Sequence, residues 1–307
     1  MAADTSFTET AWQRADTRRR WQLAMPAVLI ILLFSILPLI VVVIYAFLTP
    51  GDFGNVKWVF STEAWFSVFL ERDIFDDTVT LADAHLVILG RSVGLSFATT
   101  LITLFLGVPT AWFIATRSPG SRGFWLFLIT IPFWTNLLVR TIAIQEIIRA
   151  DGIINRVLLW AGAIDTPLQM MFSNFAVLVG MAYVFLPLMV LPVYAAIEKF
   201  DFRQAEAGYD LYASRLYCFR RVILPAVRPG LIAGSILVFV PALGAYVTPA
   251  VMGGGKTMML GNLIDLQFGQ GRNWPLGAAL SLTLTLMVLV ALVWYTRLTT
   301  GRGRSHG

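Results

Sequence analysis

Gly253-Gly254-Gly255-Lys256-Thr257 is the stretch of this chain that most openly suggests chemistry. A Gly-Lys-Thr ending closes the loop whose backbone N–H groups cradle nucleotide phosphates. That loop also needs a glycine five residues before Gly255, but Ala250 stands there and no strand pattern leads in. The stretch is therefore not read as a nucleotide site. Metal chemistry is equally poorly supplied. His85 and His306 are the two histidines and Cys218 is the one cysteine, so neither a His/Cys metal set nor an intrachain disulfide is expected. No cofactor and no catalytic set is assigned. What remains is charge in apolar surroundings: Arg140 and Glu146 fall inside one apolar run, with Arg149 three residues beyond Glu146. Ionisable groups at membrane depth cost roughly 2.5–3.5 kcal/mol on insertion scales and mark function by default. A helical i,i+3 pair between Glu146 and Arg149 is the plainer alternative.

The elements that must position these groups are membrane helices. Of 307 residues, 57% are hydrophobic and 13% charged, about half the charge of a soluble domain. Six apolar runs near 23–48, 88–116, 124–148, 173–197, 229–251 and 276–297 each approach the ~20 residues that span a bilayer. The first is too long for a signal-peptide core and reads as a retained anchor. The net charge of +5 records loop placement and not nucleic-acid affinity. Lys/Arg-rich segments alternate with poorer ones: Arg14, Arg18, Arg19 and Arg20 before the first run, Arg117 and Arg122 in a turn, six basic residues in 198–228, and Arg297, Arg302 and Arg304 at the end. The 49–87 loop opposes them with Asp52, Glu63, Glu71, Asp73, Asp76, Asp77 and Asp83. The alternation puts both termini and the 198–228 loop in the cytoplasm, and the 149–172 segment fits it least well.

The chain thus divides into a polar arm (1–22), a membrane domain (23–297) and a short tail (298–307). Trp58, Trp65, Phe66 and Phe69 in the long outer loop suit headgroup depth or a surface for an extracytoplasmic protein. Pro38, Pro109, Pro132, Pro187, Pro192 and Pro241 interrupt the apolar runs and imply bends. Gly90 with Gly94, and Gly230 with Gly234, offer close helix approach.

Between two apolar runs lies Glu206-Ala-Gly-Tyr-Asp-Leu-Tyr-Ala-Ser-Arg-Leu-Tyr-Cys-Phe-Arg-Arg-Val-Ile-Leu-Pro225. Its spacing resembles the EAA signature of ABC importer permeases. Glu206, Ala207, Leu224 and Pro225 match in register; Gly208 stands where a second Ala is usual, Tyr212 where Gly is usual and Val222 where Ile is usual. Pro132-Phe133-Trp134 with Leu138, Arg140 and Thr141 resembles a block of spermidine/putrescine permeases. Gly152-Ile153-Ile154-Asn155, Leu186-Pro187, Leu191-Pro192, Asp210-Leu211, Pro229-Gly230, Gly253-Gly254 and Asn273-Trp274-Pro275 extend the likeness to the final run. The long first outer loop resembles the larger permease of such heterodimers.

The resemblance implies an all-α, six-helix permease fold in the inner membrane. Glu206, Ala207, Gly208, Asp210, Leu224 and Pro225 would couple it to a cytoplasmic ABC ATPase dimer. A second homologous permease and an extracytoplasmic solute-binding protein would complete the complex, with membrane lipid around it. The cargo would be a polyamine or related organic cation. Tyr45, Trp112, Trp134 and Glu146 are the path residues expected, because aromatic faces and carboxylates attract ammonium groups. A glycine at 212 could end the docking helix with positive φ, whereas tyrosine rarely does, so a longer helix or a turn elsewhere is expected. Pro225 is expected to stop the next helix from propagating backward. Another amine or amino-acid-like cargo stays open. A secondary transporter should show two matching halves with paired broken helices, and a membrane enzyme should show a reactive set at one depth; neither pattern is visible.

Overall fold

A computed structural model describes residues 6–51, 54–72 and 79–300. Asp52, Asp73, Asp76, Asp77, Arg302, Arg304 and His306, and with them most of the expected tail, lie outside the described residues. The first helix, α1 (Ser6–Tyr45), starts well inside the segment expected to be an irregular arm. The outer loop follows, with β1 (Leu48–Pro50) paired antiparallel to β2 (Val56–Phe60), α2 (Glu63–Phe69), and β3 (Leu70–Arg72) paired to β4 (Val79–Leu81). An all-α expectation therefore holds for the membrane part, while the outer loop carries two small hairpins. Then come α3 (Asp83–Ala115), α4 (Pro119–Trp134), α5 (Leu137–Ile148), α6 (Ile153–Trp160), α7 (Asn174–Glu198), α8 (Arg203–Asp210), α9 (Arg215–Cys218), α10 (Leu224–Leu243), α11 (Val247–Gly253), α12 (Leu260–Phe268) and α13 (Trp274–Thr300).

Among the described residues five helices are long and apolar enough to cross a membrane, and α4 with the α5–α6 segment forms a bent apolar pair that meets at 98°, a sixth span if the two count as one. The single helix expected over 124–148 is thus corrected. The cause is local. Thr135 is extended, and the Asn136 side chain accepts from the Leu138 N–H at 2.8 Å, starting a new helix. The Thr135 hydroxyl donates to the Pro132 carbonyl at 2.7 Å, so the bend leaves fewer backbone groups unpaired, as low-dielectric surroundings require. The run expected over 229–251 is also two pieces, because α10 ends at Leu243 and α11 starts at Val247.

The core is a trio of α3, α7 and α10. Met189, Val190 and Val193 of α7 are wholly buried, with Ala111 of α3 and Val238 of α10 in the same cluster. Glycine sets this closeness. A Cβ at Gly107 would sit 2.7 Å from Met189 Cγ, and one at Gly230 would sit 2.7 Å from the Pro192 carbonyl oxygen. The Gly230–Gly234 pair works as expected. Gly90 and Gly94 do not, since a Cβ at either would meet nothing within 4 Å. At the other extreme, none of the apolar window of α1 is buried, and α1 leans on α13.

The two ends of the bundle differ. At one, Arg122 in the α3–α4 region approaches Glu198 at the end of α7 (3.9 Å), and Tyr194 donates to the same carboxylate at 2.7 Å. The basic turn and the basic 198–228 loop therefore share a face. At the opposite end α2, α11 and α12 cover the bundle. Ala64 and Val68 pack with Leu276 and Leu280, and Ser92 of α3 accepts from the Leu260 N–H at 2.7 Å.

Candidate functional site

The basic face carries α8, whose sequence explains its two sides. Asp201 accepts from the Arg203 N–H at 3.1 Å, opening the helix, and Glu206 falls in the first turn, where negative charge is favoured. Ala205 is buried, and its carbonyl accepts from the wholly buried Cys218 thiol at 3.6 Å. One turn later a Cβ at Gly208 would come within 3.3 Å of the Cys218 sulfur. Gly208 thus gives its room to the chain's own cysteine, while Glu206, Ala207 and Asp210 face outward. The small residues expected to serve one docking contact are split between two faces.

The end of α8 corrects the sequence expectation directly. Tyr212 does adopt positive φ (60°). Its N–H bonds to the Tyr209 carbonyl (2.9 Å) and the Ala213 N–H to the Gly208 carbonyl (3.1 Å), the paired bonds that end a helix in a left-handed turn. The side chain escapes crowding because it is almost entirely outside, 98% exposed, beside Leu211 at 81%. The helix therefore stops at the usual place with an unusual residue.

Pro225 likewise does not stop the winding behind it. From Arg215 to Leu243 the chain is continuously helical, with a widened π turn over Phe219–Ile223 and the Leu224 N–H reaching back to the Phe219 carbonyl. Proline lacks an N–H and crowds the carbonyl four residues earlier, and the wider turn relieves both. Leu224 and Pro225 then lead into α10 at the foot of the trio.

The expected path residues are not gathered together. Tyr45 packs against Trp274, ring centroids 6.1 Å apart. Trp112 meets Phe202 edge-on at 5.7 Å and Phe219 at 6.4 Å, which fastens the foot of α3 to both ends of the 202–219 loop. Trp134 stands at the α4–α5 break, 83% exposed. Glu146 pairs with Arg149 at 2.9 Å, and Arg149 also approaches Asp151 at 3.5 Å; the plainer reading of that acid is the one observed. Arg140 keeps its Nε and one terminal nitrogen buried without a hydrogen-bond partner among the described residues.

Sequence reasoning missed two polar groups. Asn155, wholly buried, donates to the carbonyls of Arg149 and Leu168 (both 3.0 Å) and accepts from the Leu168 N–H at 2.9 Å. It locks the α5–α6 corner to the loop ahead of α7. Its place in the Gly-Ile-Ile-Asn block hinted at importance, but nothing in the spacing named its partners. Asp265 of α12 lines cavities on both sides of its helix. No ligand cluster for a metal occurs among the described residues.

The comparisons with known proteins agree with one another. The family model described as binding-protein-dependent transport system inner membrane component matches residues 87–302. The spermidine/putrescine transport system permease protein PotB of Escherichia coli (strain K12) is 40% identical over 267 residues, 87% of this chain and 93% of that protein. PotB of Haemophilus influenzae is 41% identical over 206 residues, 67% and 72% of the two chains. A chain of a bacterial ABC transporter that imports the acidic polysaccharide alginate superposes with a TM-score of 0.68 at 15% identity, covering 96% of this chain and all of that one. One from the inward-facing MetNI methionine ABC transporter gives 0.54 at 16% identity, over 71% of this chain and 96% of that one. At such identities the structural likeness speaks for the fold.

Proposed function

The chain belongs to the family of binding-protein-dependent transport system inner membrane components, and from that premise we propose that it is the polyamine-translocating permease subunit of an ATP-driven importer. The observation that carries the cargo is the 40% identity to PotB across 87% of the chain. The outward-facing acids of α8 and the exposed Leu211–Tyr212 turn support a docking role for the 198–228 loop toward a cytoplasmic ATPase dimer. The shared basic face supports an orientation with both termini in the cytoplasm. A second permease would complete the path, and a secreted binding protein would deliver spermidine or putrescine to the face formed by α2, α11 and α12. This subunit performs no covalent chemistry. It exposes its path alternately to the two sides as ATP closes the partner ATPases.

Uptake by the complex co-expressed with its ATPase, second permease and binding protein tests the reading. Labelled spermidine should accumulate only with ATP and should be displaced by excess putrescine. The cargo reading is refuted when both polyamines fail to bind the cognate secreted protein and to compete for uptake. Glu206→Arg should leave the chain inserted, lower ATPase co-purification and uncouple uptake; uptake at the wild-type rate would remove Glu206 from coupling.

A further inference from the structure

Deepening the polyamine reading, on which it rests, we propose that the paired hollow around Asp265 receives an ammonium group of the cargo before it enters the membrane path. Helix α12 divides two open cavities. One, about 420 Å³, lies toward α11 and is lined by Ala250, Asn262, Asp265 and Gln270. The other, about 350 Å³, lies toward α10 and α13 and is lined by Tyr246, Asp265, Phe268 and Ser281. Both fall in the range of small-molecule sites, and Asp265 is the acid that borders each.

The chemistry of the lining suits a cation. No Lys or Arg pairs with the Asp265 carboxylate among the described residues. Arg91 is engaged by backbone, donating to the carbonyls of Lys256 and Met258 at 3.1 and 3.4 Å. Asn262 is fixed in place, since its amide donates to the Tyr246 carbonyl (2.7 Å) and its oxygen accepts from the Met259 N–H (3.2 Å). Tyr246 and Phe268 line the same cavity as the acid, and Phe268 is held edge-on to Trp274 at 6.5 Å. A carboxylate in a cavity that two aromatic residues also line can replace part of the water an ammonium group must shed. The site lies on the end of the bundle opposite the basic loops, where cargo would arrive.

The experiment uses the complete complex in proteoliposomes with saturating loaded binding protein. Asp265→Asn should lower maximal spermidine uptake about three- to fivefold, the scale of one partly exposed ion pair, with ATPase co-purification unchanged, and Asp265→Glu should restore most of the rate. A photoreactive spermidine analogue should label the 246–270 segment in the wild type, and Asp265→Asn should reduce that labelling. A wild-type complex that takes up spermidine while Asp265→Asn matches it in rate and labelling overturns this inference alone, and leaves the hollow a wet crevice. A wild-type complex that moves no polyamine overturns the cargo reading and this inference with it.

Discussion

Helices α3, α7 and α10 enclose Met189, Val190 and Val193 completely, whereas the loop that follows α7 leaves Leu211, Leu216 and Tyr217 facing outward. The two regions adjoin along the chain, yet one is finished within the subunit and the other is not. In the trio, glycines let backbones meet and the side chains at the helix seams are wholly buried, while Phe97, Phe105 and Leu237 on the outer faces stay exposed. In the loop, one buried cysteine and two T-shaped ring contacts hold a short helix whose acids and apolar turn have no internal partner. The contrast places tight packing inside the subunit and leaves unsatisfied surface on the loop, which the proposed function gives to the ATPase. Substitutions in the first region should damage folding, and those in the second should damage assembly.

The largest effect is expected at Gly230. Valine there must move the Pro192 carbonyl, 2.7 Å from the new Cβ, and overpacking against backbone should cost about 3 kcal/mol. Thermal unfolding of the detergent-purified chain would register it, with loss of yield before any loss of ATPase contact. A Gly230→Val protein that unfolds like the wild type would show that α7 and α10 are looser than described. Asn155→Ala comes next, at about 2 kcal/mol. It strands the Leu168 N–H and takes one of two bonds from the Arg149 and Leu168 carbonyls, which keep those from the Gly152 and Met170 N–H groups, and the lost partner of that N–H carries most of the cost. Because the damage is local, proteolysis in the 161–173 loop should speed up more than global unfolding; equal changes in both would place that corner inside the cooperative core.

Much of this division could be read from the residues. Apolar run length located the crossings, and arginine placement grouped the ends that share a face. The Glu206–Pro225 spacing located a loop with a short helix at its start. What the sequence hid was three-dimensional compensation. Asn136 has the chemistry of a helix start, but a continuous apolar pattern from 124 to 148 masked the bend. Tyr212 looked unable to end a helix because propensity counts the side chain as crowded, and here it hangs free. Trp112, Tyr45 and Glu146 were grouped by chemical likeness to one task; helical spacing already offered Arg149 to Glu146, but nothing in it pointed to the ring partners of the two aromatics. Asp265 went unmarked because an isolated acid in an amphipathic stretch is ordinary until cavities appear on both sides of it.

Inside the loop the contrast sharpens at Gly208. Alanine is the usual residue in the signature, yet here its Cβ would press on the Cys218 sulfur at 3.3 Å. Gly208→Ala alone should weaken ATPase co-purification by about 1 kcal/mol, as α8 shifts off its seat. Cys218→Ala removes the obstruction, so the double variant should bind better than the sum of the two single changes predicts, a coupling of the size found between contacting residues, roughly 0.5–3 kcal/mol. Strict additivity would mean that Gly208 faces the partner and not Cys218.

Tyr212→Gly should have the smallest effect on stability, and its sign separates the two roles of the turn. A left-handed conformation costs an L-residue roughly 1–2 kcal/mol, and glycine removes that cost. It also adds freedom to the unfolded chain, worth about 0.4–1 kcal/mol in the opposite direction, so a net gain of about 0.5 kcal/mol in local stability is expected. A helix that ends more firmly should dock at least as well if the ring is mere surface. If the ring is a contact, binding should weaken despite the firmer helix, because exposed aromatics that become buried dominate interface energies. The outcome expected is weaker binding, about threefold, measured as the affinity of the purified permease pair for its ATPase. Tyr212→Asn is the control, since asparagine tolerates the left-handed turn and also lacks the ring. Weakening by both variants assigns the loss to the missing ring. Wild-type affinity in both would confine the contact to Glu206, Ala207 and Asp210, and the tyrosine would be a strained residue with no partner to justify it.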